Sequence, residues 1–188
     1  MINNLDLYNY LLQFENVIVK GDFTGKSNVE YCTETDIRYA LKSYVEANNT
    51  CEKILDEILK NVSEEFNSFL GVPESGTFLS FFLNQLLYKK TNVDFKMNML
   101  RCNPKIYQSS TNSVNTVLPL DENQKHILIE DDIVTGNTLI KYLDNAIKNN
   151  ICITAVVAVF VRKNNYKKLQ EEILNKFGIK LYGLVEVE

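Results

Sequence analysis

The sequence predicts an α/β domain built on a parallel sheet, and three observations carry that prediction. Residues 127–129 and 151–161 are apolar and rich in β-branched side chains throughout, as strands buried on both faces are. Strand-like and helix-like segments alternate along the chain, the pattern of strands joined by crossover helices. The chain has 188 residues, 45% of them hydrophobic and 23% charged, which suits one soluble domain with a sizeable core. Neither an internal repeat nor a linker interrupts it, so residues 1–188 are expected to form a single domain.

Leu5, Tyr8, Leu11, Leu12 and Glu15 give a helical stripe at the start. Residues 21–27 form a loop, and residues 29–32 a strand. Residues 34–46 are ambiguous, with a helix through Ile37, Ala40 and Leu41. Thr50 can cap the next helix, where Ile54, Leu55, Ile58, Leu59 and Val62 recur at helical spacing. A short apolar strand lies within 66–72, a very apolar helix spans 77–89, and residues 93–100 alternate as a strand does. Residues 102–124 are rich in Ser, Asn and Thr, carry no period and are expected to be a mobile loop. The strand at 127–129 leads through an acidic run and a short loop into a helix carrying Leu139, Ile140, Leu143, Ala146 and Ile147 on one side. The strand at 151–161 follows, then a helix at 166–177 closed by Gly178, then a last strand at 180–187.

Composition excludes several classes of function. The net charge of −4, with no basic run, disfavours nucleic acid and anionic membranes as partners. The start of the chain lacks the pattern of a signal peptide. No segment approaches the roughly 18 apolar residues that span a bilayer. Cys32, Cys51, Cys102 and Cys152 are far apart, which points to reduced thiols in a cytoplasmic protein. With His126 the one histidine, a His-rich metal site is excluded.

The chemistry is concentrated at 125–143. An apolar strand runs into Glu130, Asp131 and Asp132, then Val134-Thr135-Gly136-Asn137-Thr138 opens a helix. A helix N-terminus carries unpaired amides and a partial positive charge, so it receives an anion. Gly136 lets the backbone approach a phosphate closely. The carboxylates upstream repel such an anion and are suited to accept hydrogen bonds from sugar hydroxyls instead. Phosphate and polyol side by side read as a ribose 5-phosphate site.

The string Glu130-Asp131-Asp132-Ile133-Val134-Thr135-Gly136-Asn137-Thr138 resembles the phosphoribosyl pyrophosphate (PRPP) motif of the type I phosphoribosyltransferases. The resemblance implies that Glu130 and Asp131 bind the ribose hydroxyls, with Asp132 beside them. It implies that Val134, Thr135, Gly136, Asn137 and Thr138 form the 5′-phosphate loop. It also implies the fold of that family, with a small N-terminal hood at 1–45 and a core at 46–188.

Three further segments resemble the orotate phosphoribosyltransferases in particular. Gly21-Asp22-Phe23-Thr24-Gly25-Lys26-Ser27 is one residue short of a nucleotide-binding P-loop, whose first Gly would fall at Lys20. It is similar to the family's G-[ED]-F-T-L-K-S-G segment, which folds over the pyrimidine and places Phe23 and Lys26 near base and pyrophosphate. Arg101-Cys102-Asn103-Pro104-Lys105-Ile106-Tyr107-Gln108 resembles R-K-x-x-K-x-[HY]-G, with Arg101, Lys105 and Tyr107 in register and Cys102 and Gln108 departing from it. Arg162 matches an arginine that binds the orotate carboxylate, although Val161 stands where the family has Asp. Between an apolar strand and a helix, the loop holding Glu74, Ser75 and Gly76 can present amides to a second phosphate; in the family it receives pyrophosphate, and some relatives carry Lys where Ser75 stands.

The resemblance implies transfer of ribose 5-phosphate from PRPP to orotate, giving orotidine 5′-monophosphate and pyrophosphate. Lys105 and Asp131 are the catalytic candidates. Mg²⁺ is expected as cofactor, held mainly by PRPP and water, with no protein ligand assigned to it. A homodimer sharing the 103–118 loop across its interface is expected. The competing readings are a transferase for another base and a non-catalytic PRPP-binding regulator of the same fold; Val134, where 6-oxopurine enzymes usually carry Asp, argues against a purine.

Overall fold

The computed structural model describes residues 4–24, 30–94, 100 and 124–188. Helix α1 (Leu5–Leu11) is followed by strands β1 (Ile18–Thr24) and β2 (Glu30–Thr35), which pair antiparallel as a separate two-stranded sheet. A 3-10 turn at Ile37–Ala40 leads to α2 (Tyr44–Asn61). Then come β3 (Ser68–Gly71), α3 (Ser75–Thr91), β4 (His126–Ile133), α4 (Asn137–Lys148), β5 (Ile153–Arg162), α5 (Lys163–Phe177) and β6 (Lys180–Val187). The main sheet has the order β3-β4-β5-β6 and is parallel throughout. The predicted α/β class and parallel sheet are therefore present.

Helices cover both faces of this sheet. Phe69, Ile127, Ile129 and Val157 face a core completed by α1, α2 and α3. Leu128 and Val156 face the opposite core, closed by Leu139 and Leu143 of α4 and Leu169 and Ile173 of α5. Gly178 ends α5 in the left-handed region at φ 69°, as its position after the last apolar residue requires. The buried Asn84 of α3 accepts from the Phe69 amide (2.8 Å) and donates to the Phe69 carbonyl (2.9 Å). One side chain thus satisfies both backbone groups of a strand residue.

Several elements depart from the sequence reading. Residues 21–24 belong to β1 rather than to a loop: Phe23 and Thr24 pair with Tyr31 and Glu30 of β2, and Gly21 and Asp22 fall in a register shift between Lys20 and Phe23. Helix α2 starts earlier than Thr50: Ser43 is its cap, accepting from the Glu46 amide (3.2 Å) and donating to the Glu46 carboxylate (2.9 Å). Thr50 lies buried inside the helix and donates to the Ala40 carbonyl. In α1 the buried residues are Leu7 and Leu11, while Leu5 and Leu12 are exposed. Most of the expected strand at 93–100 lies outside the described residues, as does the loop at 103–118.

Candidate functional site

Strand β4 runs on through the acidic residues, so they are not a turn after the strand. Alternation puts Glu130 on the face of Leu128, and its side chain is buried. Burial above all, with the hydrogen bond and charge of Asp131 behind it, pushes the Glu130 carboxyl up to about 10. At neutral pH Glu130 is a neutral carboxyl donating to Asp131, which is half-buried beside it. Asp131 is thereby oriented by its neighbour.

The turn from β4 into α4 is made by Gly136, the N-cap, at φ 78°. The positive φ calls for glycine, and a Cβ there would lie 2.4 Å from Cδ1 of Leu169, so the Leu169 side chain would have to shift. No side chain caps α4. Thr135 Oγ1 stands 3.5 Å from the Asn137 amide, and Asn137 and Thr138 are exposed. This end of the helix therefore keeps open donors.

The loop after β3 is pressed against β4. The Val72 amide donates to the Ile129 carbonyl (2.8 Å). A Cβ on Gly76 would lie 2.5 Å from that same oxygen, and one on Gly71 would lie 2.0 Å from the Gly76 carbonyl oxygen. The Pro73–Glu74 peptide is cis. Helix α3 then begins without a side-chain cap, with Glu74 exposed and Ser75 half-buried. Two uncapped helix N-termini thus follow adjacent parallel strands, with Asp131 at the end of one of them. Arg38, which the sequence reading did not single out, is gripped by Asp36 through Nε (2.8 Å) and Nη2 (2.8 Å). Its pKa is raised, first by that hydrogen bond and the Asp36 charge and to a smaller extent by Asp131 and Glu74.

A second cluster forms where β5 ends. The Arg162 side chain is 5% exposed and its Nη2 donates to Asp132 Oδ2 (2.6 Å) and to Thr35 Oγ1 (3.2 Å). The guanidinium lies over the Tyr31 ring at 5.0 Å, and the ring of Phe23, the cross-strand partner of Tyr31, stacks with it at 5.9 Å. Asp132 Oδ1 and Arg162 Nε and Nη1 are buried without a hydrogen-bond partner. Burial raises the Asp132 carboxyl to about 6, against the pull of Arg162. Val161 precedes this arginine, and the carboxylate that meets it comes from the neighbouring strand, at Asp132. Arg162 opens onto a cavity of about 520 Å³ bounded also by Glu30, Tyr31, Val134 and Glu188. Asn165 ties this region to the 134–138 loop by donating to the Val134 carbonyl (3.3 Å).

The structure therefore gathers Glu130, Asp131, Asp132, Val134, Thr135, Gly136, Asn137, Thr138 and Arg162 at the carboxyl ends of β4 and β5, with Glu74, Ser75 and Gly76 beside them after β3. Phe23 reaches the cluster through Tyr31, which lines the cavity in its place. Lys26, Arg101, Lys105 and Tyr107 lie outside the described residues. Tyr31, Thr35 and Arg38 were missed. The single aromatic residue Tyr31 in the otherwise mostly polar run 30–35 and the Asp36-Ile37-Arg38 spacing are the signals that bear on them.

No family model matches the sequence, and no curated protein matches it. Solved structures do match. An orotate phosphoribosyltransferase from Francisella tularensis superposes with a TM-score of 0.74 at 18% identity, covering 99% of this chain and 84% of that one. An orotate phosphoribosyltransferase from Aeropyrum pernix gives 0.67 at 17% identity over 96% and 93% of the two chains. An adenine phosphoribosyltransferase from Leishmania donovani gives 0.60 at 16% identity over 96% and 80%.

Proposed function

From the type I phosphoribosyltransferase fold that this chain has, we propose that it transfers the 5-phosphoribosyl group of PRPP to a ring nitrogen of a base and releases pyrophosphate. The observation that carries this reading is the pair of uncapped helix N-termini on adjacent parallel strands, one of them preceded by Asp131. The 134–138 loop holds the 5′-phosphate, the 72–76 loop meets pyrophosphate, and Asp131, set by neutral Glu130, accepts from the ribose hydroxyls. Bond breaking at C1 builds positive charge on the sugar and negative charge on the leaving group, so the help required is electrostatic and positional. Lys26, Arg101 and Lys105 are assigned to pyrophosphate by their motifs. Mg²⁺ would neutralise pyrophosphate oxygens when bound. Mg²⁺ prefers oxygen ligands and keeps several waters, so the ion is proposed to be held mainly by PRPP and water.

Orotate is the acceptor favoured by the 21–28 and 101–108 segments and by Arg162, and it would place the chain in pyrimidine nucleotide synthesis. A different base is the second reading. It is favoured by one observation, that Arg162 is already paired with Asp132. A homodimer sharing the 103–118 loop and a cytoplasmic location complete the proposal; no helix among the described residues is long and apolar enough to cross a membrane. The test is PRPP-dependent consumption of bases from a panel including orotate, with calorimetry of PRPP binding alongside. PRPP binding with turnover of one base supports transfer. Binding without turnover of any base points to a regulator, and no PRPP binding refutes the reading.

A further inference from the structure

Among the described residues, β1 and β2 pair with each other and with no strand of the main sheet. A two-stranded ribbon is marginal alone and holds its place through packing and side-chain bonds. Ile18 packs against one core and Thr33 is buried. A polar tie is made at the end of β5. Arg162 Nη2 donates to Thr35 Oγ1 of β2 (3.2 Å) and to Asp132 Oδ2 of β4 (2.6 Å), which engages both of its hydrogens. The guanidinium lies over the ring of Tyr31 in β2, which stacks with Phe23 of β1. Arg162 of β5 thus links β1, β2 and β4.

The same geometry turns Arg162 away from a ligand. Its side chain is 5% exposed, Nε and Nη1 are buried, and Nη2 is occupied. A carboxylate reaching the guanidinium would have to displace Asp132 or Thr35, and breaking a buried ion pair leaves a charge uncompensated. Tyr31, by contrast, is half-buried and lines the cavity. The end of β5 is also tied to the 134–138 loop, because Asn165 donates to the Val134 carbonyl (3.3 Å). The place of β2 is therefore set by the two strand ends that carry Asp131 and that loop.

We propose that Arg162 is a positioning residue. It latches the β1–β2 sheet to the carboxyl ends of β4 and β5, sets Tyr31 as a wall of the cavity, and makes no contact with the base. This rests on the transferase reading above, under which a nucleotide spans the 134–138 loop and the cavity. It takes Arg162 out of the carboxylate-binding role that the sequence resemblance implies.

Three variants of the full chain test it. Thr35→Val removes the hydroxyl and keeps the branched shape, Thr35→Ser keeps the hydroxyl, and Arg162→Gln removes the charge and the fork. Amide exchange is followed by mass spectrometry over residues 18–24 and 30–35. Calorimetry measures uridine and orotidine 5′-monophosphates, which differ by one carboxylate, and circular dichroism checks folding. In Thr35→Val, exchange should rise about tenfold and both nucleotides should bind about fivefold more weakly, as a lost bond to a charged group allows. Thr35→Ser should stay near the parent in both. In Arg162→Gln the two affinities should fall together, their ratio staying within about twofold of the parent's. Should that variant fail to fold, Thr35→Val alone decides the latch.

Unchanged exchange in Thr35→Val means there is no latch. Faster exchange with unaltered nucleotide affinity means a tie that positions nothing. A ratio shifted about tenfold against orotidine 5′-monophosphate in Arg162→Gln means that Arg162 reads the carboxylate. Each of these overturns the proposal and leaves transfer standing if PRPP binds. If the parent binds neither PRPP nor either nucleotide, the transferase reading falls and the positioning role with it, while exchange still decides whether the latch exists.

Discussion

Glu130→Gln should make the free protein more stable, by an amount that grows with pH. The carboxyl titrates near its ordinary 4.5 in the unfolded chain and at about 10 in the folded one. Below pH 4.5 both states hold the proton and the variant gains nothing. As pH rises, the unfolded chain ionises and the folded chain does not, so stability of the parent is lost progressively from 4.5 towards 10. At pH 7 the loss is up to about 3 kcal/mol, from two and a half units at about 1.4 kcal/mol each. Glutamine matches the neutral carboxyl in shape, can still donate to Asp131 and cannot ionise. Urea unfolding of parent and variant at pH 5, 6, 7 and 8 should show a widening gap, or roughly 6–12 °C in Tm at pH 7. Taking the difference cancels His126, which burial lowers to about 4. A gap independent of pH, or a variant less stable than the parent at pH 8, would refute the argument. The same variant should bind PRPP more weakly by calorimetry, because Glu130 sets Asp131; stability and function would then pull this position in opposite directions.

Gly136→Ala should destabilise by about 2–5 kcal/mol, combining the left-handed backbone and the overlap with Leu169; thermal melts check it, and an unchanged Tm would exclude the turn as described. Asn84→Leu leaves the Phe69 amide and carbonyl without their partner and should cost on the order of 2–6 kcal/mol, about 1–3 for each group, read by urea unfolding. Lys105→Ala should lower kcat about 100-fold, close to 3 kcal/mol, with little change in PRPP affinity. Mixing Lys105→Ala with Asp131→Asn subunits should restore activity through hybrid sites. Heterodimers that stay inactive would place Lys105 within its own subunit or outside the chemistry.

The sheet was legible because its strands carry uninterrupted apolar runs, and β6 and the Gly178 cap fall where the sequence puts them. The PRPP motif was legible because it is contiguous, from Glu130 to Thr138. What was not legible depends on pairing across the chain. Asp132 and Arg162 are 30 residues apart, and only the register of β4 on β5 brings them together. The β1–β2 pair was hidden because Gly21 and Asp22, which suit a loop, fall in a register shift inside β1, and pairing resumes only at Phe23 and Thr24. Ser43, by contrast, was readable: Ser-x-x-Glu precedes the helix, and the helical stripe beginning at Ile54 drew attention to Thr50 instead.

The short strand β3 enters the sheet at a price in chain entropy. Ser68 and His126, which touch across β3 and β4, are 58 residues apart, whereas His126 and Thr154, across β4 and β5, are 28 apart. Doubling a loop adds only about 0.6 kcal/mol, but β3 has four residues with which to offset it and β4 has eight. The line between β3 and β4 is therefore where local opening of this sheet is cheapest. The loop at 72–76 rides on one side of that line and the loop at 134–138 on the other. A ligand that touches both closes the long ring from outside the chain, as a cross-link would, and its arrival should slow amide exchange at Phe69 and Leu70 as well as in the loops themselves.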